Sequence, residues 1–167
     1  MVALQITDIG SVLNQMLKGT MFDSFLLREA SVTGACTTSI DGTLNDSYYS
    51  GEEQEQRGLS ELKFIPFSHV RPICLELLKG SRKPIAFHFF FLLPPEKQAA
   101  TVARAGSSFR AEDITGLFLN LIYKNDSLIC TTGVSYRLFS ADKTLEREWD
   151  RLAAVFFRQH GIAVNEL

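Results

Sequence analysis

The sequence predicts a single α+β domain spanning residues 1–167, mainly an antiparallel sheet with three to four helices packed on it. Three observations carry this prediction. Strand-like segments follow one another across short turns, as in hairpins. Between them lie stretches whose apolar residues recur at helical spacing. One continuous apolar run, residues 84–93, has the length and composition of a buried central strand.

Each predicted element has the residue spacing of a helix or a strand. Helices are predicted where apolar residues recur three and four positions apart, and strands where apolar residues alternate or form a short run between turn residues. The predicted strands are 2–6, 22–33, 35–41, 59–67, 84–93, 117–124 and 128–139. The predicted helices are 8–18, 69–79, 95–106 and 142–160.

Capping residues mark most of the helix ends. Thr7 or Asp8 can cap the first helix, and Gly19 suits the position just after its end. Ser68 can cap the second helix. Pro95 suits the first turn of the third, because its missing N–H would have no partner there. These residues therefore set where three of the four helices begin.

Turn residues separate the strands. Gly34 divides two strands of a hairpin, and residues 125–127 (Asn-Asp-Ser) are a tight hairpin signal. At ten residues, the run 84–93 is too short for a membrane span and is predicted to be buried in the sheet. Residues 41–58 are polar and acidic, so we expect a long surface excursion and the most mobile part of the chain.

Composition excludes several classes of protein. Of 167 residues, 46% are hydrophobic and 22% charged, which argues against a disordered, collagen-like or disulfide-dense chain. No apolar run approaches the ~20 residues that cross a bilayer, and no secretory signal is visible. Cys36, Cys74 and Cys130 share no C-x-x-C spacing, as expected for reduced thiols. We therefore expect a cytoplasmic protein without a membrane partner.

Charge is segregated along the chain although the net charge is only −2. Residues 1–62 hold three basic and nine acidic residues, whereas residues 63–110 hold eight basic and two acidic ones. Clustered Lys and Arg attract phosphates, so the middle third indicates a nucleic acid or an acidic protein partner. Alternatively, the basic middle third faces the acidic first third within the same fold. The strongest candidate cluster for phosphate or nucleic-acid binding is Arg71, Lys79, Arg82 and Lys83.

His88 is the other candidate site residue. It interrupts the phenylalanines of the most apolar strand, where an imidazole needs a hydrogen-bond partner or a pocket. If the strand is regular, Phe87, Phe89 and Phe91 share one face and His88 shares the other with Phe90. His88 is then a satisfied core or edge histidine, or a polar anchor or general base in an aromatic cleft. The phenylalanines themselves are expected to be buried rather than displayed for stacking.

No established catalytic or cofactor motif occurs in the chain. Phosphate-cradling, dinucleotide-binding and nucleophile-elbow patterns are absent, and the histidines and cysteines lack ligand spacing. We therefore predict no catalytic residue, no metal and no cofactor.

An internal repeat is suggested by a shift of 61 residues. This shift superimposes Met16-Leu17-Lys18-Gly19 on Leu77-Leu78-Lys79-Gly80, with a strand, a hydroxyl cap and an apolar stripe before each. The two units would be 1–58 and 59–140, followed by the helix 142–160. This order of elements resembles the half-domain of DNA sliding clamps, which implies basic helices facing a duplex. Without true duplication, the match reflects only the shared requirements of capped amphipathic helices.

The whole sequence also resembles an uncharacterised bacterial family, a domain of unknown function. The resemblance is carried by MVALQITDIG, FDSFLLREASVT, IDGTLN, VRPICLELLKG and PIAFHFFFL, and runs nearly end to end. It implies a bacterial, cytoplasmic setting and transfers no activity.

The sequence favours a non-enzymatic binding or assembly module, associated with nucleic acid and clamp-like. The alternative is a small-molecule binder or enzyme with a pocket near His88. A third interpretation is a homo-oligomer assembled through an exposed sheet edge or the last helix.

Overall fold

A computed structural model describes all residues, 1–167, and confirms the α+β class with eight strands and five helices. The strands are β1 (Ala3–Ile6), β2 (Leu26–Thr33), β3 (Thr37–Asp41), β4 (Ile65–Pro66), β5 (Ala86–Leu92), β6 (Ile114–Lys124), β7 (Ser127–Tyr136) and β8 (Val164–Glu166). The helices are α1 (Ile9–Leu17), α2 (Gly51–Gln56), α3 (Phe67–Leu78), α4 (Pro95–Ala105) and α5 (Thr144–Gln159). None of these helices combines the length and apolarity needed to cross a membrane.

All strands pair antiparallel in one sheet of order β3-β2-β5-β6-β7-β1-β8, and β4 pairs with the start of β2 beside β3. The Phe-rich strand β5 lies between β2 and β6, as expected of a central strand. A tight turn joins β6 to β7, with Asn125 and Asp126 at φ of 52° and 58°. These positive values are those of a type I′ hairpin, in agreement with the predicted turn.

The sheet has one covered face and one open face. Helices α1, α3, α4 and α5 contribute buried side chains to a single core with alternate residues of the strands. Phe87, Phe89 and Phe91 lie on that covered face and are buried, whereas His88 and Phe90 point to the other side and are half-buried. The predicted alternation along this strand is therefore confirmed. We call the side that bears His88 and Phe90 the open face.

Tertiary contacts displace the predicted start of the second helix. Ser68 is not its cap: α3 begins at Phe67, two residues before the predicted start at residue 69, and Pro66 precedes it. Phe67 is fully buried, and its N–H donates to the Phe25 carbonyl at 3.0 Å. Because burial of this ring sets where the helix begins, Ser68 lies inside the first turn.

Other predicted boundaries also shift. Only Ile65–Pro66 of the predicted strand 59–67 pairs with the sheet, because Leu59 instead closes the turn after α2 through a 2.8 Å bond from its N–H to the Gln54 carbonyl. The excursion 41–58 contains the short helix α2, and β8 was not predicted. Asp8 does cap α1, accepting from the Ser11 N–H at 3.0 Å.

The proposed repeat remains a prediction. Helices α1 and α3 contact each other on the covered face, which is where two equivalent helices would lie. Their preceding strands differ in pairing, since β1 pairs with β7 and β8, whereas the two-residue β4 pairs with β2.

Asp142 joins the loop after α4 to the start of α5, and it makes stability depend on pH. Its carboxylate accepts from the Ser108 N–H at 2.9 Å, the Ser108 hydroxyl at 2.8 Å and the Thr144 N–H at 2.9 Å. These hydrogen bonds, led by that from the Ser108 backbone, hold the pKa of Asp142 well below its usual value of 3.8. A depressed folded-state pKa means that this stabilisation is present above the unfolded pKa and lost as the pH falls.

We expect Asp142→Asn to lower the free energy of unfolding at neutral pH, and the deficit relative to the unmodified protein to shrink as the pH falls below about 4. Urea denaturation at a series of pH values measures this difference. Asp46→Asn is the control, because that exposed side chain makes no hydrogen bond. A deficit that stayed constant down to the acid limit would contradict the role of Asp142.

Candidate functional site

Two phenylalanine rings stack on the open face, on the two neighbouring central strands β5 and β6. The ring centroids of Phe90 and Phe118 are 4.9 Å apart, with 28° between the planes. Phe90 lies opposite Asn120, so Phe118 is its diagonal neighbour across the strands. Aromatic side chains span that diagonal, and offset stacking is favourable. Both rings are half-buried, and neither belongs to the core on the covered face.

A glycine in the next strand makes room for this pair. Gly133 of β7 lies opposite Phe118, and a Cβ placed on it would fall 2.1 Å from two atoms of the Phe118 ring. The ring therefore occupies the space that a side chain would fill. This close approach fixes the orientation of Phe118 on the open face.

A cation lies on the other side of the stack. Arg28 is at a bulge in β2, where the register with β5 shifts between Leu27 and Glu29. Its guanidinium carbon is 5.1 Å from the centroid of Phe90, within cation–π range. Arg28 forms no ion pair. We call Arg28, Phe90 and Phe118 together the aromatic platform.

His88 borders the platform along β5. Its Nε2 lies 3.1 Å from Oδ1 of Asn120, and its ring meets Phe90 edge-on at 6.3 Å. With the Asn120 oxygen toward the ring, Nε2–H donates and Nδ1 remains able to accept a hydrogen bond from a ligand. His88 is therefore anchored by an amide and reaches solvent on the open face.

His88 also lines a surface cleft of about 530 Å³ between the open face and the chain at Asp41, Thr43 and Phe64. We call this the His88 cleft. Its other lining residues are Arg28, Glu29, Ala30, Ser31, Ser39, Ile40, Asp41, Thr43 and Phe64. Glu29 and Asp41 face each other across β2 and β3. Hydrogen bonds from the Thr43 side chain and then its backbone N–H lower the pKa of Asp41, so the cleft keeps its negative edge to low pH.

The four basic candidates do not form one surface. Arg71 pairs with Asp23 from the acidic first third, and Lys79 pairs with Glu76 at 2.7 Å. Arg82 is exposed and forms no ion pair. Ion pairing thus reduces the charge that Arg71 and Lys79 can offer to a phosphate.

Lys79, Arg82 and Lys83 do come together in the loop between α3 and β5. They line a groove of about 570 Å³ against the tip of the β2–β3 hairpin, where the exposed Cys36 lies. Arg71 is not part of this groove. The structure therefore assembles three of the four candidates, of which Arg82 and Lys83 carry uncompensated charge.

Two of the three cysteines are sealed in the core. Burial raises the pKa of Cys74 to about 11 and that of Cys130 to about 12. Both thiols are therefore protonated at neutral pH and out of reach of a substrate. No group of three or more His, Cys, Asp or Glu side chains is arranged to hold a metal ion.

Sequence reasoning missed three members of the site: Arg28, Phe118 and Asn120. A signal for two of them was present, because the even positions of the strand 117–124 place Phe118 and Asn120 together on the face opposite its leucines. No such signal exists for Arg28, whose position depends on the bulge. The expectation that the phenylalanines are buried was wrong for Phe90 and Phe118, since strand alternation sends both to the open face, and for the exposed Phe139.

No curated protein and no solved structure matches the chain. A family profile described as "Family of unknown function (DUF5721)" matches residues 15–165. This range covers most of the chain, so the protein belongs to that family of unknown function.

Proposed function

We propose that the protein is a non-catalytic binding module whose open face holds a single-stranded nucleic acid. The aromatic platform carries this proposal: two stacked, half-buried rings lie on adjacent central strands of the open face, with the Arg28 guanidinium over Phe90. Unpaired bases stack on aromatic side chains and on arginine, at about 1–3 kcal/mol per base. Because the four helices of the core pack on the other face of the sheet, these rings remain partly exposed to a strand.

Polar groups around the platform suit the edges of bases. Asn120 lies opposite both Phe90 and Thr131, and Ser31 lies opposite His88. All four polar side chains are half-buried on the open face, where each can donate or accept a hydrogen bond. A base that enters between the Arg28 guanidinium and the Phe90 ring would therefore meet both hydrogen-bond donors and acceptors on the neighbouring strands.

The charges around the platform favour one position for the phosphates of a bound nucleic acid. Glu29 and Asp41 repel phosphates from the β2–β3 side, whereas Arg82 and Lys83, in the loop before β5, attract them. The basic groove itself lies toward the helical side, since Leu77 and Leu78 of α3 line it. A strand running along β5 would therefore leave the open face at the end of the sheet to reach Arg82 and Lys83. A clamp-like mode is less favoured, because Arg71 and Lys79 of the helical layer are paired with acidic side chains.

Anisotropy of a fluorescein-labelled oligothymidine at low salt tests the proposal. We expect Phe90→Ala and Phe118→Ala each to weaken binding by roughly tenfold or more, because each removes one stacking surface. Phe139→Ala is the matched control, since Phe139 is 97% exposed in the loop after β7 and belongs to no strand of the sheet. The double variant Arg82→Glu/Lys83→Glu should also reduce the salt dependence of binding. Absence of binding at low salt, or equal affinity of the unmodified protein and the three single variants, would end the proposal.

The His88 cleft favours a second candidate function, the binding of a small planar heteroaromatic ligand. Its volume of about 530 Å³ is in the range of small-molecule sites, and one cation, two carboxylates and an imidazole supply groups that could orient a polar ligand. Calorimetric titration with free nucleosides separates the two functions. Binding of a nucleoside that is lost in His88→Ala, without binding of oligothymidine, would favour this second function over the first.

A further inference from the structure

We propose that a groove between α4 and α5 binds a single-chain anionic amphiphile, specifically a long-chain carboxylate. The groove has a volume of about 430 Å³ and lies on the helical side of the sheet, away from the open face. It is therefore independent of the nucleic-acid function proposed above. Its volume is in the range of small-molecule sites and too small for a helix about 10 Å wide.

The floor of the groove is apolar. It is formed mainly by Leu93, Leu119, Trp149, Leu152 and Phe156. The indole of Trp149 is held in place because its Nε1–H donates to the Phe118 carbonyl at 3.0 Å. Phe156 is held edge-on against the ring of Phe25 at 5.3 Å. Such a preformed apolar surface suits an alkyl chain, each methylene of which would strengthen binding about fourfold.

The rim of the groove is cationic. Lys97, Ala100, Thr101 and Arg104 follow one another on a single face of α4, at the spacing of successive helical turns. Lys97 and Arg104 are exposed and form no ion pair. Across the groove, Arg151 is already bound by both oxygens of Glu148, at 2.9 and 2.7 Å. Two uncompensated cations therefore stand beside the apolar floor.

This combination selects the ligand class. A neutral apolar molecule would leave Lys97 and Arg104 unused, and an inorganic anion would leave the floor unused. A carboxylate head can form two parallel hydrogen bonds to the guanidinium of Arg104 while its chain covers the floor toward Trp149. A long-chain carboxylate satisfies both parts of the groove.

Trp149 makes a direct test practicable, because it is the only tryptophan in the chain. Terminally brominated dodecanoate, below its micellar concentration, should quench the fluorescence of Trp149 along a saturable curve. We expect the corresponding bromododecanol to bind at least tenfold more weakly. The double variant Lys97→Gln/Arg104→Gln should lose that difference, because it removes both cations.

Two further variants keep the test decisive. Ala100 is exposed on the α4 wall, so Ala100→Phe should fill the groove and abolish quenching without disturbing the core. Lys63→Gln is the control, since it removes an exposed cation remote from α4 and α5 in sequence. Unsaturable quenching, equal affinity for the alcohol, or unchanged affinity in Ala100→Phe would each overturn the proposal. Circular dichroism of every variant verifies that the fold is retained.

Discussion

Replacing Phe89 by alanine is expected to lower the free energy of unfolding by about 3–5 kcal/mol. The Phe89 side chain is fully buried at the centre of the sheet. Its ring stacks on Phe91 at 5.9 Å and meets Phe87 and Phe67 at 5.8 and 6.2 Å. Since β5 is hydrogen-bonded on both sides, the backbone cannot collapse into the cavity. Typical domains have only about 5–15 kcal/mol of stability, so the loss is large.

Phe90→Ala is the matched control, because the next residue of the same strand carries the same side chain to the open face. Phe90 is half-buried and contacts Phe118 and Arg28, and we expect a loss of about 1–2 kcal/mol. Chemical denaturation followed by circular dichroism gives both values. Equal losses for the two variants would contradict the assignment of opposite faces.

The covered face could be predicted from the sequence because alternation is a local property. Within residues 84–93 it separates Phe89 from Phe90 without any knowledge of the partner strands. Strand pairing is not local: β1 joins β7 more than a hundred residues later, and its other neighbour β8 is only three residues long. A strand that short has no pattern of its own and is recognisable only by its partner.

Part of the candidate site was also predictable from local sequence patterns. His88 attracts attention because a polar residue stands within an apolar run. Arg28 has no comparable signal, because a bulge in β2 brings it to Phe90, 62 positions away along the sequence. The charge of Arg71 made it a candidate for phosphate binding. In the fold it pairs with Asp23, which lies 48 residues earlier, and sequence patterns do not reveal that pairing. Sequence patterns locate charges, but only the fold decides which of them are compensated.

Replacing Gly42 by alanine is expected to lower the free energy of unfolding by about 3 kcal/mol or more. A Cβ at this position would lie 1.8 Å from the carbonyl oxygen of Leu27 and 2.8 Å from its carbonyl carbon. These are backbone atoms of the neighbouring strand and cannot rotate aside. The glycine is also fixed on both sides, because its N–H donates to Arg28 and its carbonyl accepts from Ile65, each at 2.8 Å. The clash must therefore break at least one of these bonds.

Gly34→Ala separates this close contact from the general effect of removing a glycine. Gly34 lies at the tip of the same β2–β3 hairpin, and a Cβ there would meet nothing within 4 Å. Its substitution should change stability by no more than about 0.5 kcal/mol in denaturation experiments. The N–H of Gly42 donates to the carbonyl of Arg28. Replacing Gly42 should therefore also move the Arg28 guanidinium away from Phe90 and weaken oligothymidine binding by the molecules that remain folded. A Gly42→Ala protein as stable as Gly34→Ala would show that β2 and β3 are farther apart at the bulge than the structure places them.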